Sequence, residues 1–353
     1  MKLNVLKPIP FILLCLVACK KPADKAYERL ADAAQSGKFL YGHQDDLVYG
    51  HAWKVEDPSG DKIDRSDVKS VCGQYPAVVG FDLGGIEKGD AANLDGVDFG
   101  LMRRAAKMHA KRGGLVTFSW HPRNIVTGGD SWDVSDSSVV ASVLEGGAKH
   151  DEFLLWLSRT ADFLKSVGNI PIIFRPWHEN VGSWFWWGGK LCTPEEYKAL
   201  YTMTHDFMDA AGLKNLIWVY SPDSNASEEE YFERYPGDEY VDILGVDHYQ
   251  YGGQFSNIFY INRLKEVLKY MNKFAIAHGK LICLSETGLE GLPDYKWWTN
   301  TLLTAVDGYP VCYVLTWRNA WDKPTHYYAP FEGSKDADDF VEFYNNDRTI
   351  FLK

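Results

Sequence analysis

The segment RPWHENVGSWFWWGG, Arg175 to Gly189, packs five Trp or Phe, one His, one Glu and one Arg into fifteen residues. A second glutamate, Glu286, sits in LSETG, 107 positions after Glu179. Carboxylates set among flat rings suit the cleavage of a glycosidic bond. Sugars present apolar C–H faces that stack on Trp, and the indole N–H can donate at the ring edge. Bond breaking then needs two acids in different states: one gives its proton to the leaving oxygen, and the other, ionised, attacks the anomeric carbon. Glu179, beside Trp177 and Trp184, is expected to be desolvated and to keep its proton. Arg175, lower on the same strand face, is a candidate partner for keeping Glu286 charged. The plainer reading of either Glu is an ion pair at the mouth of the fold. For the rings, Phe185 and one or two Trp are expected to pack beneath the loop, the remainder of Trp184, Trp186 and Trp187 serving as sugar platforms. Gly182, Gly188 and Gly189 are read as letting that loop turn tightly.

These residues need a frame to bring them together. Eight apolar runs of strand length end in polar residues: 39–42, 77–85, 113–121, 170–179, 216–223, 241–249, 281–288 and 311–319. Each reads as a buried parallel strand. Helical spacing recurs between them at Phe99–Lys111, Glu152–Val167, Pro194–Ala211, Ile261–His278 and Asp294–Val306, with a further helix at Ala23–Gln35 before the first strand. Eight strand–helix units without a Pro- or Ser-rich divider indicate an α/β fold, a single (β/α)8 TIM barrel over 37–353. An open doubly wound sheet is the alternative, but neither a glycine-rich dinucleotide loop nor a P-loop is present. The strand ends then gather Asp82, Trp120, His121, Asp223, Asp247, His248, Tyr249, Trp317 and Arg318 with the two glutamates at one mouth. Alternation along FRPWHE puts Arg175, Trp177 and Glu179 on one side. The long Gly-, Ser- and Asp-rich insertion at 122–149 and the loop 250–259 border that mouth, and either could wall off one end of a cleft.

Composition narrows the partners. The 353 residues are 46% hydrophobic and 24% charged, as in a soluble globular protein, but 14% aromatic with 13 Trp. Lys2 and Lys7 precede an apolar run at 9–18 of signal-peptide length. Leu16-Val17-Ala18-Cys19 resembles a bacterial lipobox, so 1–18 is expected to be a signal peptide, Cys19 to be lipidated, and 19–36 to carry the anchor and N-terminal helix. Several acyl chains hold a protein stably on a membrane, and the anchor is the only membrane contact expected. The KKPADKA that follows lacks the acidic run of surface-export signals, favouring a periplasm-facing anchor. Losing two lysines with residues 1–18 takes the formal charge from −11 to −13. Such an acidic chain is a poor binder of nucleic acid. Cys72, Cys192, Cys283 and Cys312 form no CxxC pair, and no metal or organic cofactor is indicated.

RPWHE with GSWFWWG, then DHY, SETG and TWRN in that order, resembles glycoside hydrolase family 26, most of whose members are β-1,4-mannanases; GHQDDL at 42–47 resembles the family's first strand. The resemblance runs from about residue 25 to the C-terminus. It implies a clan A barrel and a retaining mechanism on β-mannan oligo- and polysaccharides, with Glu179 as general acid/base and Glu286 as nucleophile. It also implies sugar-binding roles for His178 beside the acid, Trp184 on the leaving-group side and Tyr249 near the nucleophile. Trp317 would floor the site at the bond being cut, and His121 and Arg318 would bind sugar hydroxyls. His248 is read as a satisfied structural histidine, and a monomer is expected. β-1,3-Xylan and mixed-linkage β-glucan are alternative substrates, and a non-catalytic glycan-binding lipoprotein is the alternative of another kind. Internal cutting and release of mannobiose from a chain end both stay open.

Overall fold

The computed structural model describes residues 22–60 and 62–352. The segment 1–18, expected to be a signal peptide, and the expected lipidation site Cys19 lie outside the described residues.

All eight predicted strands are present: β1 (Phe39–Gln44), β2 (Val78–Asp82), β3 (Leu115–Trp120), β4 (Ile172–Pro176), β5 (Leu216–Tyr220), β6 (Ile243–Gln250), β7 (Leu281–Leu289) and β8 (Val311–Thr316). Each pairs in parallel with the next, and β8 pairs with β1, Tyr313 opposite Leu40, closing the barrel. Closure leaves every barrel strand paired on both sides, which removes the exposed edges an open sheet would have. The chain is a (β/α)8 barrel.

The helices follow in chain order as α1 (Pro22–Gln35), α2 (Asp67–Cys72), α3 (Phe99–Lys111), α4 (Val139–Val143), α5 (His150–Ser166), α6 (Pro194–Ala210), α7 (Glu228–Glu233) and α8 (Asn257–His278). The start of α6 is a reciprocal cap. Thr193 Oγ1 accepts from the Glu196 amide (3.1 Å), Glu196 accepts from the Thr193 amide (2.8 Å), and Pro194 opens the first turn. Among the described residues no helix is long and apolar enough to cross a membrane.

Two apolar clusters divide the interior. The larger lies between sheet and helices. The smaller joins Leu40, Ile173, Ile217, Ile243 and Cys283 to Ala26 and Leu30 of α1, so α1 closes the N-terminal end of the barrel. Chemistry is left to the opposite rim. The four cysteines among the described residues are free.

One predicted helix is wound differently. Over Asp294–Val306 the chain forms a π-helical stretch, Trp297–Leu302, then a short α-turn at Leu303–Ala305. Adjacent Trp297 and Trp298 are both fully buried, and their N–H groups go to different partners, Gln250 Oε1 and Asp336 Oδ2, each at 2.8 Å.

Candidate active site

The end of β4 departs from strand alternation. Trp177 and Glu179 both have left-handed backbone, with φ of 55° and 54°. Such a conformation costs a non-glycine residue roughly 1–2 kcal/mol, so the surroundings must impose it. They do: Tyr197 Oη donates to the Trp177 carbonyl (2.8 Å), Trp187 Nε1 to the His178 carbonyl (2.8 Å), and the Glu179 amide to the Ser221 carbonyl (2.7 Å). The result separates residues expected to share a face. Arg175 points into the barrel, Trp177 packs outward on Phe153 of α5 with its N–H on Thr204 of α6, and Glu179 rises into the cleft. Trp120, expected at the mouth, is likewise buried on Phe153.

Glu286 is positioned by a different device. Against β6, Leu284 pairs with Val246 but Glu286 pairs with Asp247, so Ser285 and Glu286 together oppose one residue. This bulge lets consecutive side chains reach the same interior group of residues. Ser285 Oγ donates to Asp247 Oδ1 (2.7 Å), and Glu286 accepts from Arg175 Nη2 and from Tyr249 Oη (2.7 Å). Arg175 also donates to Asp247 Oδ2 at 2.8 Å. Burial opposes its charge, but Asp247 and Glu286 outweigh burial and raise its pKa. With donors on both oxygens, Glu286 occupies a site made for an acceptor-only, ionised carboxylate.

Glu179 meets the opposite conditions. Among the described residues its side chain accepts from Trp184 Nε1, which donates to Oε2 at 2.6 Å. Burial in the cleft, and then the charge of Glu286, push its pKa up to about 8 against that hydrogen bond. One oxygen from each of Glu179, Asp247 and Glu286 lies within 4.8 Å of the others. Three carboxylates that close would suit a cation, but the Arg175 guanidinium already holds two of them and would compete for the same oxygens. Oxygens this close fit the roughly 5–5.5 Å spacing of a retaining pair better than the roughly 6.5–9.5 Å of an inverting one.

Around this pair stands a second chain of groups. His121 Nδ1 bonds Asp82 Oδ2 (2.6 Å) and its Nε2 meets His178 Nε2 (3.0 Å). Burial works against a charged His121, but Asp82 overrides it and raises its pKa; burial, Arg175 and His121 hold His178 neutral. Trp317 lines the cleft beside Glu286. His248 spends both ring nitrogens on Ser224 Oγ (2.6 Å) and the Tyr260 carbonyl (3.0 Å), a structural arrangement. The Arg318 guanidinium is committed to Asp95 (3.0 Å) and lies over the Tyr49 ring.

The rings sort unevenly. Trp186 and Trp187 are fully buried, with N–H groups on the Pro122 and His178 carbonyls, and Phe185 stacks on Trp187; none of the three is a platform. Trp184, 37% exposed, is the surface ring of that loop. Gly182, Gly188 and Gly189 are not in left-handed turns. A Cβ at Gly182 would run into the Trp184 indole, and at Gly188 into the Gly182 carbonyl, so these glycines provide close approach. Three cleft rings escaped the sequence reading: Trp132, which stacks on His121, and Tyr251 and Tyr328. Trp132 sits in GGDSWD, where an indole without an apolar run around it was the available signal.

The profile described as Glycosyl hydrolase family 26 matches residues 23–291. The chain belongs to glycosyl hydrolase family 26. Within that family it is 48% identical to a solved β-mannanase from Bacteroides ovatus, with a TM-score of 0.89 over 94% of this chain and 96% of that one. A mannan endo-1,4-beta-mannosidase of Bacillus subtilis is 33% identical over 72% of this chain and 69% of its own. One from Bifidobacterium adolescentis is 31% identical over 86% of this chain, which spans only about a third (33%) of that relative's length.

Proposed function

We propose that this family 26 protein hydrolyses β-1,4-mannosidic linkages in mannan, galactomannan or glucomannan with retention of configuration. The observation that carries the reading is the contrast between two carboxyl groups in one cleft. Glu179 holds a proton because it is crowded and faces Glu286, whereas Glu286 is gripped by Arg175 and Tyr249. Glu286 attacks the anomeric carbon as Glu179 protonates the departing oxygen, forming a glycosyl ester on Glu286; Glu179, now a carboxylate, takes a proton from the water that releases it. Loss of the Glu286 charge on ester formation makes it easier for Glu179 to ionise, so the acid becomes a base in step with the chemistry. Both roles are filled by side chains, without a cofactor. The names of the relatives support mannan as substrate.

Incubation with linear and galactose-decorated mannan should release reducing ends, with xylan and mixed-linkage β-glucan as controls. Binding without products would leave a glycan-binding protein, and faster cleavage of a control would reassign the substrate. We propose further that the chain is exported and acylated at Cys19 with its anchor facing the periplasm, supported by the apolar run at 9–18 and Leu16–Cys19. Labelled palmitate incorporated by the parent and not by Cys19→Ser, in membranes separated by leaflet, checks this.

A further inference from the structure

Both ring nitrogens of His121 are engaged inside the protein. Nδ1 lies 2.6 Å from Asp82 Oδ2, and Nε2 lies 3.0 Å from His178 Nε2. Asp82, buried at the end of β2, is surrounded by donors. The Gly84 and His121 amides reach Oδ1 (2.7 and 3.4 Å), and Ser119 Oγ reaches Oδ2 (2.7 Å) beside the imidazole. A carboxylate so placed is acceptor-only, so His121 Nδ1 carries a hydrogen. The contact at the other end of the ring also needs a hydrogen, because two bare imidazole nitrogens do not meet at that distance. The Trp132 indole favours His121 as its source: it lies flat on that ring, 12° from parallel with centroids 5.3 Å apart, as an indole face does over a cation. With both nitrogens protonated His121 is an imidazolium, and His178 accepts at Nε2.

Charges of both signs face this ring. Asp82 and, on the loop after β2, Asp95 are the anions on one side, and Glu286 of β7 is the anion across the cleft. Arg175 of β4 opposes the imidazolium, and His178 is neutral. Arg123 and Asp130, one of each sign, stand on the rim, with Arg123 within 3.5 Å of Asp90. Of these groups Glu286 alone changes charge in the proposed reaction. It is an anion before attack, neutral as the glycosyl ester, and an anion again on release. A cation held by Glu286 alone would become a stronger acid once the ester formed. Asp82 does not react, so the cation it holds is still in place when Glu286 must leave.

Resting on the glycosidase reading above, we infer that Asp82 is a positioning residue for the second half of the reaction: its hydrogen bond keeps His121 a cation in the cleft wall, and that cation stabilises Glu286 as the ester breaks. In that step the water oxygen bonds C1, and the C1–O bond to Glu286 breaks with its electron pair going to the carboxylate. The water's proton goes to Glu179. Negative charge grows on Glu286 there and is lost in the first step, so a fixed cation favours breakdown of the ester over its formation.

Asp82→Asn keeps the shape of the side chain and an acceptor for His121 while removing the charge. Nitrogen NMR of the full chain with labelled histidine, His121 being assigned by its loss in His121→Gln, reads the charge directly. The wild type should show both His121 nitrogens protonated from about pH 6 to 8, and Asp82→Asn should show one. With an activated aryl β-mannobioside, rapid-mixing kinetics separate formation of the glycosyl-enzyme from its breakdown. At about pH 7, Asp82→Asn should slow breakdown by roughly tenfold, the scale of one charge interaction across a cleft, and change formation by less than about twofold. The deficit against the wild type should shrink as pH falls and His121 regains its proton. The wild-type spectrum does not depend on the folding of Asp82→Asn. A neutral His121 there, or equal slowing of both steps at every pH, would overturn the inference while leaving the hydrolase reading standing. A wild type that cleaves neither aryl mannobioside nor mannan would overturn both.

Discussion

Trp184 Nε1 donates to Glu179 Oε2 at 2.6 Å, tying a surface indole on the cleft rim to the carboxyl group whose pKa is most useful to the chemistry. The hydrogen bond favours the ionised form, so it holds the Glu179 pKa down against burial and Glu286. The alkaline limb of kcat/KM should lie near pH 8, where Glu179 loses its proton. Trp184→Phe keeps a ring but removes the donor, and should move that limb to higher pH. A pH profile on mannan checks this; a limb that stays put or falls would mean another group sets it.

The same shift has a consequence for stability. An unfolded glutamate titrates near 4.5 and the folded Glu179 near 8. Between those values the folded chain keeps a proton the unfolded chain has lost, so this group's contribution falls as pH rises. Glu179→Gln cannot titrate there and should melt progressively higher than the parent as pH is raised from 4.5 to 8, the two converging below 4.5. Melting curves across that range are the check, and a constant difference would count against the shifted pKa.

Arg175 serves two buried acids at once, Asp247 and Glu286. Arg175→Met fills similar volume but strands both, and breaking a buried ion pair from one side costs about 3–5 kcal/mol. The variant should lose that much stability in denaturant titration and turn over mannan at a small fraction of the parent rate. A loss of activity with parental stability would mean the acids neutralise by taking up protons.

Much of this was legible in advance, and the misses share a cause. Strands and most helices follow from apolar runs and spacing, because each element's burial is written in its own residues. Glu179 and Glu286 follow too, since carboxyl groups at strand ends among Trp have few other uses. What failed was orientation. Alternation put Trp177 beside Glu179, but a left-handed residue turned it outward; that Phe185 and up to two Trp pack under the loop was legible, but not that Trp184 is the ring left exposed. Sequence period cannot reveal a backbone that a Tyr197 hydroxyl and a Ser221 carbonyl hold out of its usual region. The ion pair of Arg318, which the family resemblance assigns to sugar hydroxyls, could not be read in advance either, because its partner Asp95 lies more than two hundred residues away on a loop with no motif.

Tyr249 is half of the grip on Glu286. Burial, and then Glu286, raise its pKa well above the ordinary phenol value, so it remains a donor throughout the working range. Tyr249→Phe should fold with parental stability to within about 1 kcal/mol and lower kcat by roughly tenfold, the worth of one hydrogen bond to a charged group. Circular dichroism with steady-state kinetics on mannan separates the outcomes, and normal kinetics would make the ring a packing residue.

In the proposed reaction Glu286 becomes bonded to the sugar while Glu179 manages the protons. Reaction with a 2-deoxy-2-fluoro mannoside bearing an activated leaving group should accumulate a covalent intermediate, and mass mapping should find the sugar on the peptide containing Leu284-Ser285-Glu286-Thr287-Gly288. A label on any other residue, or turnover of natural substrate with inversion and no label at all, would contradict it.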